Sequence, residues 1–129
     1  VGIVVNDIDK AGKRYESLLG FKAQTEVILD ETQRVYIQFY VNGKGERLEL
    51  IQPVDETSPS YNAPKKGGGV NHVGYRCPDI NNALDRARRQ NCVIVVPPVL
   101  GAGHGGRMIA FVVHPDFGLT EFVEHKDWS

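Results

Sequence analysis

Apolar residues follow two spacings along the chain, and the same order of spacings occurs twice. Apolar runs at residues 1–5 and 72–77 predict strands. Each run leads to an aspartate suited to begin a helix, Asp7 or Asp79, and then to apolar residues at helical spacing. Three strand-like stretches follow each helix, so the predicted order is βαβββ, twice. These stretches cover roughly residues 22–29, 34–41 and 46–52 in the first copy and 93–97, 107–113 and 119–125 in the second.

The two copies align at a shift of 72 residues without a gap. Phe39 meets Phe111 at this shift, and Glu49 meets Glu121. Such internal similarity predicts one folding unit used twice. We therefore predict an α+β fold in which two tandem βαβββ modules form a cup-shaped mixed sheet with the helices outside. The aligned segments are residues 1–15 with 73–87 and residues 37–52 with 109–124.

The length of 129 residues is ordinary for one domain. We predict a single domain over residues 1–129, with module 1 at about 1–52 and module 2 at about 71–125. The stretch between them, about 53–70, is rich in Pro, Ser, Lys and Gly and is predicted to be a linker. The chain opens in strand-like sequence without an initiator Met, so we expect further residues ahead of Val1.

The composition narrows the classes of partner. The net charge is −1, without a long run of either sign, which argues against nucleic acid and anionic membranes as partners. No apolar stretch approaches the roughly 20 residues that span a bilayer. Cys77 and Cys92 lack metal or redox spacing, which favours two reduced thiols in a cytoplasmic protein.

Strand alternation predicts which side chains face the inside of the cup. Leu48 and Leu50 are expected under the helix, so Glu49 points to the concave face. Because Glu121 corresponds to Glu49 in the repeat, it is expected to point to the concave face as well. In the strand at residues 72–77, His72 is expected to face the cup together with Gly74 and Arg76, while Val73 and Tyr75 pack against the helix.

The central strands supply the remaining candidates for substrate binding. We predict that Val35, Ile37, Phe39 and Val41 face the helix. A cup with one polar and one apolar wall suits a small organic ligand with one polar end. His104, in the glycine-rich segment GAGHGG, is either a substrate contact or an exposed loop residue. The residues predicted to line the cup are Tyr36, Gln38 and Tyr40 from one module and Met108, Ala110 and Val112 from the other.

A metal site is the sharpest chemical hypothesis. Imidazole and carboxylate groups bind Zn, Ni, Mn, Co or Fe(II). Taken singly, His72 reads as a hydrogen-bonded core histidine, and Glu49 and Glu121 read as surface residues. Their matched placement on an inward face favours a divalent metal bound by His72, Glu49 and Glu121.

Several segments resemble the vicinal oxygen chelate superfamily, which includes glyoxalase I, methylmalonyl-CoA epimerase, extradiol dioxygenases and bleomycin-binding resistance proteins. The segments LELIQPVDETSP, GGGVNHVGYRCPDI, GAGHGG and HPDFGLTEFVE resemble epimerase-type members in order and spacing. The resemblance covers essentially the whole chain. It implies a glyoxalase-like fold and four metal ligands: a residue ahead of Val1, expected to be His, with Glu49, His72 and Glu121.

The resemblance also implies the chemistry. Neighbouring oxygens of the substrate would fill two open metal positions, and the metal would stabilise the enolate formed when the adjacent carbon loses a proton. Glu121 is the leading candidate to move that proton and Glu49 the second. The implied activity is a metal-dependent epimerase or a lactoylglutathione-lyase-like lyase acting as a homodimer.

Two other functions stay open at this stage. A non-catalytic protein that binds a drug or metabolite, of the bleomycin-resistance type, would generally lack the metal ligands. An iron dioxygenase would require a second histidine where this chain has Glu49.

Overall fold

The computed structural model describes residues 1–61 and 69–127. The chain divides into two compact units, Val1–Asn71 and His72–Ser129, and each is described by itself. The predicted linker is partly replaced by strand, because one strand extends to Pro53 and the next begins at Gly69. Residues 62–68 of that linker lie outside the described residues.

The first unit contains one helix and a small sheet. Its strands are ordered β2–β4–β5–β1, with β1 parallel to β5 and the other pairs antiparallel. The predicted strand at residues 22–29 is instead two short strands, β2 and β3, which both pair with β4. The elements are β1 Gly2–Val4, α1 Ile8–Leu19, β2 Lys22–Ala23, β3 Ile28–Asp30, β4 Val35–Val41 and β5 Arg47–Pro53.

The second unit repeats this arrangement. Its strands are ordered β6–β9–β8–β7, with β6 parallel to β9 and the other pairs antiparallel. Strand β6 begins three residues before the unit boundary. The elements are β6 Gly69–Cys77, α2 Ile80–Arg89, β7 Val93–Leu100, β8 Met108–His114 and β9 Gly118–Glu124.

The strand registers preserve the repeat residue by residue. Glu49 lies between Gly2 on the parallel neighbour and Phe39 on the antiparallel neighbour. Glu121 lies between Gly74 and Phe111, which are the same residue types at the same shift. The predicted α+β class with two tandem modules is therefore confirmed. The assignment of the whole chain to a single domain stays a prediction.

Both helices begin with the same pair of interactions. The side chains of Asp7 and Asp79 accept hydrogen bonds from the backbone N–H three residues on, at 3.1 and 3.0 Å. The first N–H of α1 donates to Oε1 of Gln52 at 2.9 Å, and the first N–H of α2 donates to Oε2 of Glu124 at 3.0 Å. Each helix start is thus tied to the last strand of its own unit, and N–H groups that lack partners within the helix are satisfied.

The core of each unit lies between the helix and the sheet. In the first unit it is built from Ile8, Phe21, Tyr40 and Leu50, with Leu48 packed against it. In the second unit the cluster contains Cys77, Ile80, Leu84, Ala87, Ala110 and Val112. Neither helix in the described residues has both the length and the apolar sequence required to cross a bilayer.

The prediction that Tyr36, Gln38 and Tyr40 line the cup with Glu49 is wrong. Cross-strand partners project from the same face of a sheet. Tyr40 is paired with Leu48, and Gln38 with Leu50, so these side chains lie on the helix side. Tyr40 is 5% exposed and belongs to the core under α1.

In the second unit, too, the residues of the central strand were predicted to lie on the wrong face of the sheet. Ala110 and Val112 belong to the core beside α2, and Met108 packs against that core. The residue of β8 paired with Glu121 is Phe111. The side chains of β8 that share the face of Glu121 are therefore Phe111 and the residues two positions away from it, Ile109 and Val113. Met108, Ala110 and Val112 were therefore assigned to the wrong face.

Val73 and Tyr75 also depart from expectation. Both were predicted to pack against α2, but they are 38% and 56% exposed and lie outside the cluster around that helix. The helix-side surface of β6 is therefore left largely open in this unit.

A leucine-to-alanine substitution in each helix tests the packing of the helices against the sheets. Leu84 is 2% exposed within the core, whereas Leu18, on α1, is 76% exposed. We expect Leu84→Ala to lower the free energy of unfolding by about 2–5 kcal/mol, because it leaves a cavity. Leu18→Ala should change it by at most about 0.5 kcal/mol. Urea unfolding measures both, and equal effects would contradict the packing described.

Candidate functional site

Glu121 is the centre of the candidate site. It lies on β9, between β6 and β8, and is only 6% exposed. Its neighbour on β6 is Gly74, where an added Cβ would lie 3.2 Å from Oε1 of Glu121. Such a contact is tighter than ordinary van der Waals packing, so the glycine leaves room for the carboxylate. Glu121 is thus a buried residue, and its role as a site residue stays a prediction.

His72 contacts one oxygen of this carboxylate. Its Nε2 lies 3.4 Å from Oε1 of Glu121, and the side chain is 4% exposed. The ring packs edge-on against Phe111, with centroids 5.0 Å apart and an interplanar angle of 87°. Because Phe111 is the cross-strand partner of Glu121, the same face of β8 and β9 orients both members of the pair.

His104 contacts the other oxygen. Its Nε2 lies 3.5 Å from Oε2 of Glu121, and its side chain is 10% exposed. The alternative of an exposed loop residue is therefore wrong. The sequence offered a signal for this position, since a single histidine stands among five flanking small residues in GAGHGG.

The loop that carries His104 is a tight turn. The backbone N–H of His104 donates to the carbonyl of Gly101 at 3.1 Å, and the N–H of Arg107 donates to the carbonyl of His104 at 3.2 Å. Gly103 and Gly105 have φ of 73° and 63°, values that residues other than glycine rarely adopt. A Cβ on Gly101 would lie 2.6 Å from Ile109 Cγ2 and 2.8 Å from His104 Cδ2.

The electrostatics of the cluster favour an ionised glutamate. Burial by itself raises the pKa of Glu121, but the hydrogen bonds and charges of His104 and His72 outweigh burial and lower the pKa to about 2. A carboxylate that stays ionised when buried needs such partners. This low pKa keeps the carboxyl group of Glu121 ionised at neutral pH.

The chemistry of these donors fits a divalent metal ion. Imidazole nitrogen and carboxylate oxygen are the ligands that Zn²⁺, Ni²⁺ and Fe²⁺ take in proteins. His72 and Glu121 present one of each, buried and side by side. A metal-binding role therefore agrees with the residues present.

Glu49, the corresponding residue of the first unit, lies half-buried on β5. It shares its face with Phe39, and the guanidinium of Arg47 lies 3.8 Å from the centroid of the Phe39 ring. Arg47 Nε also donates to Oε1 of Gln24 at 2.7 Å. Arg47 was not among the predicted site residues, although its position two residues before Glu49 was enough to place it on that face.

Arg76, a predicted substrate contact, is exposed on β6. It is paired with Val123, two residues after Glu121, so it shares the face of Gly74 and His72. Burial lowers the pKa of His125, and the positive charges of Arg107 and Arg76 lower it further. The positive charges of Arg76 and Arg107 thus both act on His125 and favour its neutral form.

The chain is similar in sequence to proteins of one superfamily. Residues 1–111 match the sequence model of the Glyoxalase/Bleomycin resistance protein/Dioxygenase superfamily. The ethylmalonyl-CoA/methylmalonyl-CoA epimerase of Cereibacter sphaeroides is 27% identical over 119 residues, which cover 91% of this chain and 87% of that protein.

Solved structures of similar proteins agree with this match. The methylmalonyl-CoA epimerase of Mycobacterium tuberculosis superimposes with a TM-score of 0.82 at 27% identity, over 96% of this chain and 84% of that one. A variant of the Streptomyces coelicolor methylmalonyl-CoA epimerase, in complex with 2-nitronate-propionyl-CoA, gives 0.78 at 26% identity over 95% and 92%. The expected glyoxalase-like fold is therefore confirmed.

The packing of the His104 loop predicts a specific sensitivity. Gly101→Ala should lower the free energy of unfolding by about 1–3 kcal/mol, because its methyl group would overlap Ile109 and His104. Gly43→Ala is the control, since no heavy atom lies within 4 Å of the added methyl. Chemical unfolding compares the two, and a neutral Gly101→Ala would contradict the close packing of the loop.

Proposed function

The chain belongs to the glyoxalase/bleomycin resistance protein/dioxygenase superfamily, and we propose that it is a metal-dependent epimerase. Its substrate class would be CoA thioesters that carry a second carboxyl group on the carbon next to the thioester. The proposed reaction removes a proton from that carbon and returns one to it. The names of the relatives support this class of substrate.

The observation that carries the proposal is the buried contact between His72 and Glu121. A buried ionised carboxylate is costly unless it is paired, and the imidazole of His72 is one such partner for Glu121. The pair stands where the epimerase resemblance predicts two metal ligands. The contact thus supports the proposal in two ways: its nitrogen and oxygen donors suit a metal ion, and the similar proteins are named as epimerases.

We assign the divalent ion to His72, Glu121 and Glu49. Glu49 is included because it holds the position in the first unit that Glu121 holds in the second. A bound ion would act as a Lewis acid toward the thioester carbonyl oxygen. Zn, Ni, Co, Mn and Fe all suit this donor set.

We assign the proton transfer to Glu49 ahead of Glu121, which reverses their order in the sequence analysis. Both oxygens of Glu121 face imidazoles, at 3.4 and 3.5 Å. These contacts suit a residue that holds its position and leave less freedom to approach a substrate carbon. Glu49 is half-buried and lies on a strand face beside Arg47.

The acidic substrate also needs cationic partners. We propose that Arg76 contacts the second carboxyl group or a phosphate of the CoA portion, because arginine binds either group through two parallel hydrogen bonds. His104 is better described by its contact with Glu121 than as a substrate contact. A homodimer and a cytoplasmic location stay predictions from the sequence.

Three glutamate-to-glutamine variants separate metal binding from proton transfer. With Co²⁺ saturating, Glu49→Gln should slow interconversion of the two epimers of methylmalonyl-CoA by about 10²–10⁴-fold, the usual contribution of a general base. Glu121→Gln should mainly weaken binding of Co²⁺. Glu56→Gln, at an exposed position, should match the wild type. Circular dichroism of the epimers and equilibrium dialysis of Co²⁺ provide the two measurements.

The proposal fails if the folded wild-type chain binds Co²⁺, Zn²⁺ and Ni²⁺ no better than the Glu121→Gln variant and does not interconvert the epimers. Tight binding of an acyl-CoA without turnover would then favour the non-catalytic small-molecule binding protein.

A further inference from the structure

His104 has no role in the metal assignment above, yet the fold places it against the central carboxylate. Glu121 is contacted on both oxygens, by His72 on Oε1 and by His104 on Oε2. One contact would leave the carboxylate able to turn about its last bond. Two contacts, on different oxygens, fix that rotation and so fix which oxygen faces His72.

The loop around His104 is shaped to deliver this contact. Gly101 packs so closely against the imidazole and Ile109 that even a methyl group would overlap them. Backbone hydrogen bonds on both sides of His104 close the turn. Gly103 and Gly105 supply the left-handed φ that the turn requires. A residue that merely faced solvent would not need this degree of constraint.

The repeat does not explain the histidine. The shift of 72 residues places Thr32 at the position that corresponds to His104. The helix caps and the glutamates have equivalents in both units, whereas the imidazole of His104 has an equivalent imidazole in neither Thr32 nor its neighbours in the sequence. It therefore calls for an explanation specific to the second unit.

We propose that His104 is a positioning residue that holds the Glu121 carboxylate in the orientation required to bind the metal through Oε1. This inference rests on the proposed function for the identity of the bound group, but the orientation of Glu121 is a property of the chain alone. A carboxylate ligand fixed by a hydrogen bond from outside the metal shell binds more tightly, because less freedom is lost when the metal arrives.

The test compares His104→Ala with His104→Gln, whose side-chain amide offers an N–H at a similar reach. His114→Gln is the matched control, because His114 contacts Asp116 and Phe117. Competition with a chelator measures the Co²⁺ dissociation constant. We expect His104→Ala to raise it by about 10–100-fold, His104→Gln to restore most of the affinity, and His114→Gln to leave it unchanged.

A second readout without metal keeps the inference separate from the proposed function. Crystal structures of the metal-free variants should show Glu121 turned away from His72 in His104→Ala and in its wild-type position in His104→Gln. An unmoved Glu121 would overturn the positioning role, as would equal Co²⁺ affinity in the wild type and His104→Ala. If the wild type binds no metal, the proposed function fails, and the crystal structures alone decide the role of His104.

Discussion

The second unit depends on how one buried charge is satisfied. The carboxylate of Glu121 is removed from water, and an unpaired ion there would cost several kcal/mol. Two imidazoles, His72 and His104, offset that cost by facing its two oxygens. The absence of a side chain at Gly74 leaves room for the carboxylate, and a Cβ at Gly101 would overlap Ile109 and His104. Removing either histidine would thus leave the anion partly uncompensated, which couples the stability of the unit to its chemistry.

The twofold repeat accounts for the scaffold, and the departures from it account for the site. The first N–H of each helix is held by a side chain from the last strand of its unit, Gln52 or Glu124. Each glutamate lies opposite one glycine and one phenylalanine. By contrast, His104 corresponds at the same shift to Thr32. The repeat places two carboxylates on equivalent strands, and the loop that carries His104 gives Glu121 a contact that the repeat does not account for.

The sequence was sufficient to predict this repeat and the helix starts, but it misassigned the central strands. Both faces of β4 carry buried aromatic or aliphatic residues: Ile37 and Phe39 on one face are each 3% exposed, and Tyr40 on the other is 5% exposed. When both faces carry such residues, apolar character no longer distinguishes the core side. The antiparallel register would have corrected the error, since Tyr40 is paired with Leu48, whose side was predicted correctly. The segment GAGHGG singled out His104 but not its contact with Glu121, because glycine φ angles and the distant strand β9 determine that contact.

Exchange of the substrate proton with solvent is the most direct test of the account. The metal-loaded chain would be incubated with methylmalonyl-CoA in D₂O, and proton NMR would follow the hydrogen on the carbon between the thioester and the carboxylate. The account predicts that deuterium replaces this hydrogen in the presence of wild-type chain much faster than without protein, and that Glu49→Gln greatly slows the replacement. A folded, metal-loaded wild-type chain that leaves the exchange at its uncatalysed rate would contradict it.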